Sequence, residues 1–179
     1  MGIKHDSVSF IPLYNKLMMN SYNKESIDFV VVDAAYKTPY NCKKIIDDKI
    51  MPNMPYKRPM TKKGFFKENE YVYDEYYDCY ICPNNKILKY KITDKEGYKK
   101  YESNPKDCSK CPFLKQCTGS KDYKKTVTRH VWQEYVEQAG EIRYKWFFKE
   151  TYDRRKETIE RVSVIKKVAL SNLTKFVQK

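Results

Sequence analysis

The chain has 179 residues, a formal net charge of +13 at pH 7 and a pI near 9.3, and 41% of its residues are hydrophobic. This length suits one domain with an insertion and is large enough to bury a core. The positive charge favours a polyanionic partner, because each basic side chain at a phosphate releases a condensed counterion. A solvated lysine-rich surface is the alternative interpretation. The 17 Tyr, 8 Phe and 2 Trp exclude a disordered basic tail.

Membrane and secretory signals are absent from the sequence. No apolar run approaches the ~20 residues that span a bilayer, and the stretch MGIKHDSVSF lacks the core of a signal peptide. We therefore expect a soluble, cytoplasmic protein with no membrane partner. In that compartment the six cysteines are expected to be thiols or metal ligands rather than disulfides.

The N-terminal third alternates between helical and strand patterns. Residues 8–20 have apolar positions compatible with a short helix, and residues 29–32 form a β-branched apolar run typical of a buried strand that ends at Asp33. Pro39 can open a second helix over PYNCKKIIDDKI, and MPNMPY at 51–56 predicts another short strand. This α-β-α-β order predicts an α/β layer with a parallel sheet.

The remainder of the chain divides by composition. The alternation in YVYDEYYDCYI and ILKYKIT predicts two strands over residues 71–93, joined by the hairpin turn PNN. A cysteine-rich loop covers 104–120. From about Val127 the pattern is helical, with one helix over VWQEYVEQ and a longer one from near Lys145. We predict three segments, namely an α/β segment at 1–66, an inserted β/cysteine-rich module at 67–126 and a C-terminal helical segment at 127–179.

Five cysteines have a spacing close to that of a zinc ribbon. Two CxxC pairs are separated by 25 residues and a further cysteine follows after five more, so the candidate Zn²⁺ ligands are Cys79, Cys82, Cys108, Cys111 and Cys117. Either Cys111 or Cys117 is then the fourth ligand. A closed four-thiolate site would be structural, because catalysis needs an open coordination position. The alternative is a cluster of buried thiols that packs the hairpin without metal. Cys42 is expected in the core.

A charged helical stripe lies near the C-terminus. On a helix, Tyr152, Arg155, Lys156 and Ile159 share one face, with Glu160 at its edge. The last 37 residues hold 11 Lys or Arg against four Asp or Glu, which suits contact with a phosphate backbone. A solvated, salt-bridged helix is the alternative interpretation.

The chain resembles bacterial insertion-sequence transposases of the DDE type in a colinear series of motifs. These are VVVDAAYKTP, PYKRPMTKKGFF, YVYDEYYDCYICPNNKILKY, CSKCPFLKQC, TRHVWQEY and YDRRKETIERV, over roughly residues 5–162. More narrowly, it is similar to the group whose RNase H-like catalytic domain carries a cysteine-containing insertion. The resemblance implies an α/β fold, with a partial RNase H-like mixed sheet, flanking helices and an inserted β-hairpin/cysteine-rich module.

The resemblance also implies a chemistry. In that family three carboxylates hold two divalent metal ions that activate water or a DNA 3′-hydroxyl for attack on a phosphodiester. Asp33 matches the second acid, in a motif like D-A-G-Y-K-T, and Glu160 matches the late acid, in a motif like E-R-x-F. Asp33 and Glu160 would hold Mg²⁺ or Mn²⁺, and the partner would be DNA at transposon ends and target. The implied DNA contacts are Lys37, Tyr152, Arg154, Arg155 and Lys156.

Departures from the family pattern shape the functional expectation. The family's first catalytic Asp belongs to a strand upstream of any present here, Ala35 replaces the usual glycine, and Ser163 stands where phenylalanine is expected. After Val162 the match fades. We therefore expect a transposase fragment shortened at both ends, inactive alone, which self-associates or joins a full-length transposase. A non-enzymatic zinc-ribbon protein that binds nucleic acid is the competing hypothesis.

Overall fold

The computed structural model describes residues 6–19, 27–155 and 157. In chain order its helices and strands are α1 (Asp6–Met19), β1 (Phe29–Val31), α2 (Pro39–Asp47), β2 (Met51–Asn53), β3 (Val72–Asp74), β4 (Cys79–Ile81), β5 (Ile87–Thr93), β6 (Tyr98–Glu102), α3 (Pro105–Cys108), α4 (Leu114–Cys117), β7 (Thr126–His130), α5 (Gln133–Glu141) and a helical run at 148–155, α6. Single 3-10 turns lie at Ala34–Tyr36, Glu68–Glu70 and Ile142–Tyr144. The chain divides into a first unit, residues 1–56 and 134–179, and a second unit, residues 57–133.

The first unit contains a parallel pair of strands, as the sequence predicts. β1 and β2 pair in parallel with Val30 opposite Pro52, and the Val32 amide donates to the Asn53 carbonyl at 3.2 Å. Helix α2 joins them and begins at Pro39, where a missing N–H costs no helical hydrogen bond. The α-β-α-β order is therefore confirmed, although the second strand ends at Asn53 rather than at residue 56.

The core of the first unit lies beneath α1 and α2. Its fully buried members include Cys42 and Ile45 of α2, and Tyr14 of α1 donates a 2.9 Å hydrogen bond to Asp48. The core position predicted for Cys42 is confirmed. The expectation of a fully buried first strand is wrong, since Phe29 is 38% exposed and the two valines after it are half-buried.

The second unit is a five-stranded antiparallel sheet in which each strand pairs with the next, in the order β3-β4-β5-β6-β7. The predicted hairpin is the β4–β5 pair, but residues 71–81 form two strands rather than one. A turn at 75–78 separates them, with Asp78 in the left-handed region at φ +45. The cysteine-rich loop contains the short helices α3 and α4.

The C-terminal boundary of this sheet corrects another prediction. The sequence predicts a helical pattern from about Val127, yet residues 126–130 form β7, with Val127 opposite Tyr101 of β6. The run TVTRH begins with three consecutive β-branched residues, which favours a strand once a partner is available. The helical pattern begins only at Gln133.

The buried centre of the second unit is aromatic. Tyr71, Tyr80, Leu88, Tyr101 and Val127 form its core, and Cys82 and Cys117 pack against it. The mixed α/β class is as expected and is compatible with a partial RNase H-like fold. None of the helices in the described ranges is long and apolar enough to cross a membrane.

Candidate functional site

Asp33 lies just beyond the end of β1, where the chain enters the 3-10 turn Ala34–Tyr36. Its Oδ1 accepts a 2.7 Å hydrogen bond from the Ala34 amide, so the carboxylate caps this turn. The side chain is nevertheless 55% exposed. Because β1 and β2 are parallel, their carboxyl ends lie at one edge of the pair. A rigid strand end therefore presents a carboxylate that solvent can reach.

Arg155 is the other predicted site residue that the structure brings to this point. Its Nη2 lies 3.9 Å from Asp33 Oδ2, and its side chain is only 19% exposed. The guanidinium also lies over the Tyr152 ring, 5.6 Å from the centroid. At this separation the ion pair contributes little stability, at most about 1 kcal/mol. Its importance is that α6 places a cation beside the candidate metal-binding carboxylate.

Asn53, at the carboxyl end of β2, connects the strand pair to α6 and was not singled out from the sequence. It is fully buried, and its Nδ2 donates to the Phe148 carbonyl at 3.4 Å and to the Thr151 hydroxyl. Its Oδ1 has no hydrogen-bond partner within the described part of the chain. The sequence feature that could have identified Asn53 is its position as a polar residue in the otherwise apolar stretch MPNMP. Asn53 is a positioning residue, because it orients the helix that carries Arg155.

The other predicted DNA contacts differ in accessibility. The Lys37 ammonium is half-buried, and a Cβ built on Gly140 would lie 3.3 Å from it. Burial lowers the pKa of Lys37, and the charge of Arg143 lowers it further, whereas the Cys42 thiol raises it. Arg154 is 74% exposed and pairs with Glu150 one turn earlier.

Two predicted residues, Lys156 and Glu160, lie outside the described residues. Tyr152 is half-buried and stacks on Phe148 of the same helix, with ring centroids 6.0 Å apart. Arg155 is thus the predicted partner that the structure brings next to Asp33. The catalytic assignment of Glu160 stays a prediction.

The cysteines of the second unit separate into two environments. Cys82, Cys108, Cys111 and Cys117 line one small cavity of about 20 Å³. Cys79 instead is buried beside a different groove, next to Asp74 and Asp78. All six cysteines of the chain are free thiols, and within the described ranges no three His, Cys, Asp or Glu side chains already stand in a metal-holding arrangement.

The thiols also differ in their electrostatics. Burial raises the pKa of the Cys117 thiol, although the Tyr71 hydroxyl and Lys125 oppose this effect. Burial likewise raises the pKa of the Cys79 thiol, and the nearby carboxylates raise it further. Burial raises the pKa of Cys42 to about 11, so this thiol is an inert core group at neutral pH.

Comparison with known proteins adds one match. The family described as Transposase DDE domain matches residues 81–175, just over half of the chain. The matched range contains the four cavity cysteines and Glu160, and it begins after Asp33. No curated protein and no solved structure gives a significant match to the chain.

Proposed function

Because this chain belongs to the transposase DDE-domain family, we propose that it acts in DNA transposition and that Asp33 and Glu160 are two of its metal-binding carboxylates. The observation that supports this assignment is the approach of Arg155 to Asp33 at the carboxyl end of β1. A carboxylate on a strand end, next to a cation on a late helix, suits chemistry on a phosphodiester.

The donor chemistry of Asp33 fits Mg²⁺ or Mn²⁺. Its oxygens are the hard ligands that these ions prefer, and the exposed carboxylate accepts one backbone hydrogen bond through Oδ1. When bound, the ion would stabilise charge on the attacking and leaving oxygens. The protein's own contribution is to hold Asp33 on β1 and to orient Arg155, whose planar guanidinium can bind a phosphate through two parallel hydrogen bonds.

DNA binding follows from the charge and from α6. The net charge of +13 favours a polyanion. Exposed Arg154 is well placed for a backbone phosphate. Tyr152 and Arg155 of this helix, together with Lys156, complete the proposed contact set. Lys37 is the weakest member, since its half-buried ammonium would have to turn outward.

Two acids alone do not complete a three-acid site. We therefore expect this 179-residue polypeptide to bind DNA and to leave it uncut, unless an intact transposase supplies a third carboxylate. Association with such a chain is part of the proposal.

The test combines binding and cleavage. Fluorescence anisotropy with a random-sequence duplex should show binding that weakens steeply as salt rises, and Arg154→Ala with Arg155→Ala should reduce both the affinity and the salt slope. No binding at low salt would contradict the proposed function. Nicking of supercoiled DNA with Mn²⁺ should be absent. Robust nicking, lost in both Asp33→Ala and Glu160→Ala, would confirm the acids and refute the expected inactivity.

A non-enzymatic DNA-binding role is the second candidate, and the four-thiol cavity of the lysine-rich second unit is the observation that favours it. Under that role, DNA affinity should depend on the cavity cysteines and be indifferent to Asp33 and Glu160. Under the first, substitution of the α6 arginines should lower affinity more than substitution of any cavity cysteine.

A further inference from the structure

We propose that Cys82, Cys108, Cys111 and Cys117 form a structural four-thiolate site for Zn²⁺, and that Cys79 is not a ligand. The proposal concerns the second unit and does not depend on the assignment of Asp33 and Glu160. It also resolves which four of the five cysteines form the site.

Three short turns bring the four thiols to one cavity. Cys82 directly follows β4, Cys108 ends α3, and Cys117 ends α4. Cys111 is joined to Cys108 by a tight turn in which its amide donates to the Cys108 carbonyl at 3.0 Å. The cavity of about 20 Å³ that they line has room for about one water-sized occupant. Four sulfurs around one small space are the ligand set of a closed tetrahedral Zn²⁺ site.

Hydrogen-bond donors point at the sulfurs of this cavity. The Lys86 amide donates to Cys82 Sγ at 3.4 Å, within a turn closed by the bond from the Cys82 amide to the Lys86 carbonyl. The Asn84 side-chain amide donates to Cys111 Sγ at 3.5 Å. Donors of this kind stabilise thiolates and orient metal ligands.

The other two sulfurs also have polar neighbours. The Tyr71 hydroxyl lies 3.3 Å from Cys117 Sγ, and Cys108 Sγ donates to Ser103 Oγ at 3.2 Å. A metal would displace the Cys108 proton and draw the four sulfurs inward from these positions. Lys86 and Lys125 also line the cavity, and their positive charge would offset the negative charge of a four-thiolate complex.

Cys79 is excluded by its local backbone. It lies inside β4, where the chain is extended, whereas Cys108 ends α3 and Cys111 follows it after a tight turn. Cys82 lies in the turn after β4, so the two residues of this CxxC pair do not share one turn. Cys79 accordingly lines a separate groove beside Asp74 and Asp78.

The ion would join two parts of the second unit that are distant in sequence. Cys82 belongs to the β4–β5 hairpin, and the other three ligands lie in the connection between β6 and β7. With four protein ligands the ion has no open position, so its role would be structural.

Co²⁺ titration of the full chain, read by absorption, tests the ligand set. The wild type should bind one Co²⁺ with the intense thiolate charge-transfer bands of a four-sulfur tetrahedral site, and one Zn²⁺ should displace it. Serine substitution of any of the four ligands should lower Co²⁺ affinity at least tenfold. Cys79→Ser and Cys42→Ser are the matched controls and should retain the wild-type spectrum and affinity.

Zn-edge X-ray absorption on the wild type gives a readout that does not depend on variants folding. It should report four sulfurs at about 2.3 Å. A chain that binds neither Co²⁺ nor Zn²⁺, or a site with fewer than four sulfurs, would overturn the proposal. Loss of Co²⁺ in a Cys79→Ser or Cys79→Ala chain whose circular dichroism is unchanged would show that Cys79 is a ligand, and would overturn it equally.

Discussion

The carboxylate site of the first unit and the thiol cavity of the second are built from different kinds of support. Asp33 is half-exposed, caps one short turn and meets Arg155 at 3.9 Å. The four cavity cysteines lie where three turns converge, and two of them pack on the aromatic core of the sheet. The first arrangement leaves a charged group accessible to a ligand, whereas the second holds its thiols half-buried around a small cavity.

This difference separates residues that act on a ligand from residues that hold the fold. Removing an exposed cap should cost little stability and much function. Changing the packing around an enclosed cluster should cost stability first. Four predictions test this contrast, from the largest expected effect to the smallest.

The largest effect should come from Leu88→Ala in the second unit. Leu88 is fully buried in the core against which Cys82 and Cys117 pack. The void that alanine would leave at position 88 should lower the free energy of unfolding by about 2–5 kcal/mol. Urea unfolding followed by circular dichroism measures this, and Co²⁺ affinity should fall with it. Ile45→Ala, equally buried in the first-unit core, is the control and should spare Co²⁺ affinity. Equal Co²⁺ losses in both variants would contradict the contrast.

Two glycines with positive φ separate backbone strain from close packing in the second unit. Gly97 has φ +86, and a Cβ there would lie 3.0 Å from His130 Nε2; Gly64 has φ +84 with nothing within 4 Å. Gly97→Ala should cost about 1–3 kcal/mol of unfolding free energy, and Gly64→Ala only the strain component, about 1 kcal/mol. Thermal unfolding of both variants checks the order. A larger loss in Gly64→Ala would show that contact with His130 is unimportant.

Asp78 should make the second unit sensitive to acid. Burial alone would raise the pKa of this carboxyl, but hydrogen bonds from Tyr101, Tyr73 and Lys99 outweigh it and hold the pKa below its ordinary value. A lowered pKa stabilises the fold above the unfolded-state pKa, near 4, and that contribution disappears as pH falls through the native pKa. The carboxylate is partly exposed, so Asp78→Asn should cost only about 1 kcal/mol at pH 7.

Urea unfolding of wild type and Asp78→Asn at pH 7 and pH 3 measures this dependence. Asparagine tolerates the positive φ of Asp78 and keeps an acceptor for the tyrosines, so it changes mainly the charge. The difference between the two chains should be present at pH 7 and smaller at pH 3, because the contribution is lost as pH falls from near 4 through the native pKa. A difference that is the same at both values would rule out the ionised carboxylate as its source.

The smallest stability effect should come from Asp33→Asn. Asparagine caps a helical turn as well as aspartate does, and the distance between the Arg155 guanidinium and the Asp33 carboxylate is long for an ion pair. The free energy of unfolding should therefore change by less than about 0.5 kcal/mol. Mn²⁺ binding, followed by water-proton relaxation, should weaken all the same. A loss above about 2 kcal/mol would show that Asp33 is a structural residue like the enclosed thiols.

Local signals account for the parts of the fold that were predicted correctly. Pro39 after Thr38 marks the start of α2, and PNN marks the β4–β5 turn, because each depends on a few adjacent residues. The strand β6 was missed because YKKYE carries no strong local signal. The strand β7 was missed although TVT is β-branched, because three such residues do not identify a strand without its partner. Their strand character depends on pairing with each other, which sets Tyr101 opposite Val127.

The sequence by itself determined the residue types of both sites, the α-β-α-β start and the membership of the DDE family that the resemblance indicated. Only the tertiary structure decided which residues meet. It placed Arg155 next to Asp33, and it connected β2 to α6 through the side chain of Asn53. It also placed Cys79 outside the cavity that the other four cysteines line. The physical reason is that spacing along a chain does not specify side-chain direction. The extended strand β4 places Cys79 beside a separate groove, whereas the tight turn after α3 brings Cys111 to the cavity that Cys108 also lines.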